Sequence, residues 1–218
     1  GNDTPQFRGI SSKMLSTFVL TMRGTPYNYY GDELGMVNIR FDNIEDYNDV
    51  ETRNKYEQIK TAGGDLKAYL ENRKQTSREN GRTPFQWNNS PNAGFTTGKP
   101  WLKVNSNFDT INAEAEEKDP NSVLNYYRKL IKLRKKELTL VYGAYTLLDK
   151  DNPNVFSYTR ELNGKKFLIL LNFTEKEASY KIGISTAKSK IILDNYEATK
   201  TIKNNTLRPY EAVIMEIK

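Results

Sequence analysis

The sequence contains no cysteine and no histidine among its 218 residues. Without cysteine, neither a disulfide bond nor a thiolate metal site can form. Without histidine, the most common metal ligand and the usual base at neutral pH are both missing. These absences exclude cysteine proteases, serine proteases with a histidine base and histidine-based zinc enzymes, and we expect no metal site.

Long apolar runs are also missing. No run approaches the roughly 18 to 20 residues that a membrane-spanning helix needs, and no charged segment followed by an apolar one resembles a signal peptide. We therefore expect no membrane partner. The chain opens abruptly with GNDTPQFRG, which leads us to expect that it does not start at a natural terminus.

The charged residues are numerous but mixed. Thirty-three Lys and Arg stand against 27 Asp and Glu, which gives a net charge of +6. Both signs alternate along most of the chain and no block of about five like charges occurs, which argues against a nucleic-acid partner. A hydrophobic content of 37% with 11% aromatics is typical of a folded globular protein, and the length allows two units with separate cores.

The N-terminal part of the sequence shows helical patterns interrupted by glycine turns. Apolar residues at helical spacing predict an amphipathic helix over residues 10–22, which ends before Gly24. The stretch TPYNYYG, residues 25–31, predicts a short buried strand that enters a glycine-bounded loop. Two charged segments, residues 49–60 and 65–75, predict surface helices. A helix followed by a buried strand is the alternation of α/β folds.

An irregular segment separates these elements from the next helical pattern. Residues 81–119 are rich in Gly, Pro, Asn and Thr and show no period, and they are too long for an ordinary connection. We predict that they are functional or packed by their aromatic residues. The stretch DPNSVLNYYRKLIKLRKKE then predicts a helix with Asp119 as its cap and Pro120 in its first turn. We interpret its basic stripe as a solvated face.

After residue 137 the period changes from helical to alternating. Turn residues separate six short segments, and Asn163-Gly164 predicts a hairpin turn. This spacing predicts an antiparallel β-sandwich of about 75 residues, and we assign it no chemistry. The six segments are AYTLLDK, NVFSYTREL, KKFLILLNF, ASYKIGI, SKIILDN and YEAVIMEIK.

Four carboxylates near helix or loop starts could carry chemistry. Asp32 with Glu33, and Asp49 with Glu51, belong to the residue types that glycosidases pair as acid and nucleophile. Acidic residues at such places are more often solvated, or they cap a helix and complement its dipole. The sequence does not supply the separation that would choose between these interpretations.

The stretch SRENGRTPFQW, residues 77–87, contains two arginines four positions apart and a Thr-Pro break. The guanidinium of Arg78 or Arg82 suits bidentate contacts to sugar hydroxyls or carboxylates, because it is planar and offers five donors. Structural pairing with nearby acidic residues explains the two arginines equally well. The residues alone leave both interpretations open.

At these stretches the sequence resembles a known family. GTPYNYYGDELGM is similar to the eighth-strand segment of the alpha-amylase-type glycoside hydrolases of family 13. SRENGRTPFQW and SPNAGFTTGKPW are similar to the signature of their oligo-1,6-glucosidase and alpha-glucosidase branch. DPNSVLNYYRKLIKLRK resembles the last barrel helix, and LVYGAYTLL resembles the start of the C-terminal sheet domain. The resemblance covers essentially the whole chain.

The resemblance implies an α/β part followed by an all-β part. Residues 1–138 would be the C-terminal remnant of a TIM (β/α)8 barrel, with helix seven, strand eight, a long excursion and helix eight. Residues 139–218 would be a small antiparallel β-sandwich domain. In the family, three carboxylates perform the reaction, and the motif that holds the last of them includes a histidine. Since the chain has no histidine, the resemblance implies that all three lie upstream and that the fragment alone is inactive.

The resemblance also implies site residues. Arg78 matches the arginine that hydrogen-bonds the non-reducing glucose, so we expect it to face inward, and Glu51 matches a glutamate that lines the second sugar's subsite. The resemblance implies four residues that support the site: Glu33 belongs to the shell that orients it, while the other three fold the loop against the barrel, with Trp87 as a packed anchor. These four are Glu33, Arg82, Gln86 and Trp87. Departures from the family pattern at Tyr30, Asp32, Glu79 and Gly81 leave the linkage preference open.

The implied reaction of the whole protein is hydrolysis of alpha-glucosidic bonds in short isomalto- or malto-oligosaccharides, with retention and without an organic cofactor. Two alternatives stay open: a non-catalytic carbohydrate-binding module, and a hydrolase of the same family that acts on phosphorylated glucosides. The expected partners are a small oligosaccharide and the missing N-terminal part of the same enzyme. The resemblance implies a cytoplasmic location. An unpaired eighth strand leads us to expect self-association of the fragment.

Overall fold

The computed structural model describes residues 1–196, 202 and 204–217, and the chain divides into two compact units. One unit takes in residues 1–35 and 119–218, and the other takes in residues 36–118. These units are groups of residues in mutual contact and do not test the predicted division into domains at residues 138 and 139, which stays a prediction.

The described part of the chain contains six α-helices. In chain order they are α1 (Arg8–Thr21), α2 (Val50–Thr61), α3 (Leu66–Thr76), α4 (Ala113–Lys118), α5 (Val123–Lys136) and α6 (Leu138–Tyr142). Shorter 3₁₀ turns occur at Asp32–Leu34, Ile44–Asp46, Arg78–Gly81, Pro91–Gly94 and Ser106–Asp109. The helices predicted over residues 10–22, 49–60 and 65–75 are confirmed. None of the helices within the described ranges has both the length and the apolar character needed to cross a bilayer.

The helix predicted after residue 119 begins later than expected. Its cap is Ser122, whose hydroxyl accepts a hydrogen bond from the backbone N–H of Asn125 at 3.1 Å. The side chain of Asp119 instead accepts from the backbone N–H of Asn121 at 2.8 Å. Because that carboxylate closes a local turn, Asp119 does not cap the helix, and Pro120 precedes the first helical residue.

Within the described residues the strands form two antiparallel sheets. The strand bounds are β1 (Ala144–Leu148), β2 (Val155–Leu162), β3 (Lys165–Asn172), β4 (Ala178–Ser179), β5 (Lys190–Asp194), β6 (Thr206–Leu207) and β7 (Ala212–Ile217). One sheet has five strands in the order β1-β2-β3-β7-β5, and the other pairs β4 with β6. The predicted hairpin is confirmed: Asn163 and Gly164 both have positive φ, as a type I′ turn requires, between paired Leu162 and Lys165.

The central strand β3 is buried on both faces. Phe167, Ile169 and Leu171 pack with apolar side chains of α1, α5 and α6. Leu168 and Leu170 point the other way and pack with side chains of the two-stranded sheet and its flanking residues. This double burial explains why KKFLILLNF reads as a nearly continuous apolar run rather than an alternating one.

The second layer of the sheet domain is smaller than predicted. The segment ASYKIGI forms a ladder only over Ala178–Ser179, and its partner Thr206–Leu207 was not predicted as a strand. Tyr180 and the isoleucines that follow it pack against the apolar cluster without strand pairing. The alternating apolar residues of this segment therefore indicate packing against the core and not a continuous β-ladder.

The strand predicted at residues 25–31 is wrong for this structure. No other segment of the described residues pairs with residues 25–30, and Tyr27 is 89% exposed. A strand needs a neighbour for its backbone groups, and a turn at Tyr30 and Gly31, with φ 93° at Gly31, ends the segment. The tyrosine-rich segment is therefore unpaired and has no regular secondary structure.

Two arginines are buried in the unit that contains the sheet. Arg160 of β2 donates to the backbone carbonyl oxygens of Thr21, Leu140 and Gly143. Arg134 of α5 donates to the carbonyl oxygens of Leu20, Gly24 and Leu140. Desolvation lowers the pKa of both guanidinium groups. Both side chains thereby hold the chain at the carboxyl ends of α1 and α6.

Candidate functional site

The start of α2 presents two of the carboxylates singled out from the sequence. Asp49 caps the helix, since its Oδ2 accepts from the backbone N–H and the hydroxyl of Thr52, both at 2.9 Å. These hydrogen bonds are the largest cause of the lowered pKa of Asp49, which burial opposes. Glu51 lies in the first helical turn with its side chain 73% exposed. Asp49 is thus ionised at neutral pH and serves as an acceptor.

The stretch that contains the two arginines folds as a 3₁₀ turn over Arg78–Gly81. The guanidinium of Arg78 lies 3.7 Å from the Glu51 carboxylate, and that of Arg82 lies 3.9 Å from the Asp49 carboxylate. The structure therefore brings together both arginines and the start of α2. The Arg78 side chain is 68% exposed, and exposed ion pairs of this kind contribute less than about 1 kcal/mol.

Weak pairing leaves this cluster able to bind something else. Guanidinium donors and carboxylate acceptors lie side by side on the surface of the unit of residues 36–118, and this mixture complements sugar hydroxyls, which both donate and accept. In this unit the Arg78 side chain is largely exposed, and the inward orientation expected for it stays a prediction. Substrate binding by Arg78 and Glu51 stays a prediction.

Glu79 is a residue of this region whose role the sequence analysis missed. Its side chain is fully buried, and one carboxylate oxygen accepts from the backbone N–H groups of Asn48 and Asp49. Burial raises the pKa of Glu79 and the charge of Asp49 adds to that rise, while the two hydrogen bonds and Arg82 oppose it. Acidic residues are rarely fully buried, so composition and spacing gave no signal.

Gln86 is buried and Trp87 is half exposed, so the expectation that Trp87 is a packed anchor is wrong for this structure. Trp87, the expected packed anchor, is 53% exposed, and its ring contacts Phe85 with centroids 4.5 Å apart. Gln86 is fully buried and donates to the Asn107 side chain at 3.0 Å and to the Ile111 carbonyl at 2.6 Å. The amide of Gln86 fixes this loop because it satisfies a buried carbonyl that the indole does not reach.

Glu33 belongs to the other compact unit. Its carboxylate accepts from the backbone N–H of Gly31 at 2.9 Å, at the start of the 3₁₀ turn Asp32–Leu34. Arg8 donates to the carbonyl of Leu34 at 2.7 Å and secures the same turn. Burial, followed by the charges of Asp32 and Glu33, raises the pKa of Tyr127 to about 12. The predicted supporting role of Glu33 stays a prediction.

Metal binding has no support in the residues that the structure describes. Among them, no group of three or more His, Cys, Asp or Glu side chains is arranged to hold a metal ion.

Two family descriptions match the chain in succession. The description of the alpha amylase catalytic domain matches residues 1–143. That of the maltogenic amylase C-terminal domain matches residues 145–214.

Known proteins match nearly the whole chain. The oligo-1,6-glucosidase of Parageobacillus thermoglucosidasius is 42% identical over 221 residues, which cover 99% of this chain and 39% of that enzyme. The trehalose-6-phosphate hydrolase of Bacillus subtilis (strain 168) is 42% identical over 222 residues, with the same two coverages. The isomaltulose synthase structure from Klebsiella sp. LX3 matches with a TM-score of 0.91 at 39% identity, over 100% of this chain and 40% of that one. The chain thus spans about two fifths of these relatives' length.

Proposed function

The chain belongs to the alpha-amylase family, and from that premise we propose that the whole protein is a retaining alpha-glucosidase. The fold expected from the sequence, a TIM-barrel remnant followed by an antiparallel sheet domain, is confirmed. The single observation that carries the proposal is the exposed cluster of Arg78 and Glu51, because its donors and acceptors are weakly paired and suit sugar hydroxyls.

The proposed reaction proceeds through a covalent glycosyl-enzyme intermediate, with a carboxylate nucleophile and a second carboxyl group as acid and then base. We place these reacting groups in the part of the enzyme upstream of this chain. The residues described above bind and orient: Arg78 spans two neighbouring hydroxyls of the first glucose, and Glu51 accepts from a hydroxyl of the second sugar. The fragment alone is then inactive.

We propose short isomalto- or malto-oligosaccharides as the substrates. A carboxylate at the second sugar's subsite favours hydroxyl groups and repels a phosphate, which supports an unphosphorylated substrate. The second candidate is a phosphorylated glucoside, because the trehalose-6-phosphate hydrolase of Bacillus subtilis is as similar to this chain as the oligo-1,6-glucosidase is.

The test uses the full-length protein with isomaltose, maltose and trehalose 6-phosphate in parallel. We expect glucose release from isomaltose or maltose, with the α-anomer appearing first by NMR, and none from the 218-residue chain. Release from trehalose 6-phosphate alone would favour the second candidate. Absence of glucose from all three sugars, or initial β-glucose, would contradict the proposal.

We further propose that the isolated chain self-associates, since residues 25–30 have no strand partner within the described residues and expose tyrosine rings. Light scattering should show dimers or larger species, and a monodisperse monomer would contradict this. A cytoplasmic location is also part of the proposal, and cell fractionation tests it.

A further inference from the structure

Glu79 connects two segments that are far apart in the sequence. It lies in the 3₁₀ turn Arg78–Gly81, directly after Arg78. One oxygen of its carboxylate accepts from the backbone N–H of Asp49 at 2.9 Å and from that of Asn48. Those two amides immediately precede Val50, the first residue of α2. A single buried side chain therefore fastens the start of α2 to the turn that carries Arg78.

Burial of the Glu79 carboxylate costs free energy that its hydrogen bonds to the two amides offset. A buried carboxylate loses its hydration, and only hydrogen bonds or nearby positive charge offset that loss. The other oxygen of Glu79 has no hydrogen-bond partner among the described residues. The bonds to residues 48 and 49, near the positive end of α2, are the ones that hold the carboxylate. An apolar side chain of similar size would fill the space without this loss.

We propose that Glu79 is a positioning residue that sets the separation of Arg78 and Glu51 for sugar binding, an inference that rests on the proposed function. Arg78 precedes Glu79 by one residue, and Glu51 follows Asp49 by two. Any change in the Glu79 contact therefore moves one member of the pair, now 3.7 Å apart, relative to the other. Since neither Arg78 nor Glu51 takes part in the chemical step, loss of the Glu79 contact should weaken sugar binding and leave that step intact.

The experiment compares Glu79→Ala and Glu79→Gln in the full-length enzyme. Glu79→Ala removes the acceptor, while Glu79→Gln keeps a neutral and weaker one. The matched control is Glu57→Ala, which removes an exposed glutamate of α2 that pairs with Lys60. Hydrogen exchange is followed in the peptide that contains the amides of residues 48 and 49. KM and kcat are measured with isomaltose and maltose.

In Glu79→Ala each of the two amides loses its charge-assisted hydrogen bond, so we expect exchange at each to be about tenfold faster. KM should rise about tenfold, with kcat within about twofold. In Glu79→Gln both effects should be smaller, about threefold. The control should match the wild type. If Glu79→Ala does not fold, Glu79→Gln decides.

Unchanged exchange in a folded Glu79 variant would overturn the inference, whatever the activity. So would faster exchange with an unchanged KM, or a fall in kcat with KM constant, in an active enzyme. If the wild-type enzyme releases no glucose, the proposed function fails, while faster exchange in the variants still supports Glu79 as the residue that holds α2 in place.

Discussion

The five-stranded sheet and the unit of residues 36–118 are stabilised by different means. Residues 167–171 of β3 are fully buried between two apolar layers. In the other unit, Phe41, Tyr47 and Leu102 form a small apolar cluster. Several of its other buried side chains are polar and bind backbone groups; these are Glu79, Gln86, Asn105 and Asn112.

Apolar packing stabilises the sheet, whereas polar side chains that bind backbone groups hold loops in place beside charged surface residues in the unit of residues 36–118. The four stability predictions below test that contrast, from the largest expected effect to the smallest, on the 218-residue chain.

The largest effect is expected in the centre of the sheet. Ile169→Ala removes a fully buried side chain of β3, and we expect a loss of about 3 to 4 kcal/mol in the free energy of unfolding, because a cavity remains. Urea denaturation measures this loss. The control Leu147→Ala, at an exposed position of β1, should cost less than about 1 kcal/mol. Equal losses for Ile169→Ala and Leu147→Ala would contradict the expected difference between buried and exposed positions of the sheet.

Arg160, a buried charged residue of the sheet, should contribute more to stability than a charged residue on the surface of the sheet. Arg160→Met leaves the carbonyl oxygens of Thr21 and Gly143 without their guanidinium donor, while Leu140 keeps the one from Arg134, and we expect a loss of about 3 kcal/mol. Lys166→Met removes a cation paired with Glu161 on the surface of the sheet at 2.9 Å, and should cost less than about 1 kcal/mol. Thermal and urea unfolding of both variants provide the measurement. A harmless Arg160→Met would show that these hydrogen bonds contribute nothing.

In the unit of residues 36–118, the buried amide should matter more than the large aromatic ring. Gln86→Ala leaves the buried carbonyl of Ile111 without its side-chain donor, and we expect a loss of about 2 kcal/mol in the free energy of unfolding. Trp87→Ala, at a position that is half exposed, should cost less than about 1 kcal/mol. Urea titrations of the two variants decide. A larger loss for Trp87→Ala would restore the role of packed anchor.

The smallest effect concerns the helix cap. Asp49→Ala should cost about 1 kcal/mol at neutral pH, and Asp65→Ala, at the cap of α3, serves as the matched control. Because the folded-state pKa of Asp49 is lowered, its contribution is complete above the unfolded pKa and is lost as the pH falls through the folded pKa.

The stability difference between wild type and Asp49→Ala should therefore be constant above about pH 5 and shrink below about pH 4. Urea unfolding across this range measures it. A difference that grows toward acid pH would contradict the assigned direction of the pKa shift.

Local periodicity sufficed for the elements whose partners lie nearby in the chain. The α1 and α2 helices and the hairpin at Asn163-Gly164 could be predicted because spacing and turn residues specify them within a few positions. The strand expected at residues 25–31 failed because pairing depends on a neighbour that no local pattern supplies. The start of α5 was missed because Asp119 and Ser122 both suit a cap and only the turn geometry chooses.

The site was predictable in part. The resemblance singled out Arg78, Glu51 and Arg82, and the structure places both arginines at the start of α2. The residues alone could not separate ion pairing from sugar binding, since the same guanidinium serves both. The role of Glu79 was missed because acidic residues are rarely buried, whereas here two backbone amides hold the carboxylate inside. Trp87 was misjudged because the resemblance implied a packed ring and the structure leaves it half exposed.

The most direct test of the central claim is the activity of Arg78→Ala in the full-length enzyme. If Arg78 holds the first glucose, kcat/KM for isomaltose or maltose should fall at least about 100-fold, as loss of two charged hydrogen bonds predicts. Lys55→Ala, which removes an exposed cation of α2, should stay near the wild type. An Arg78→Ala enzyme within about threefold of the wild type would contradict the account.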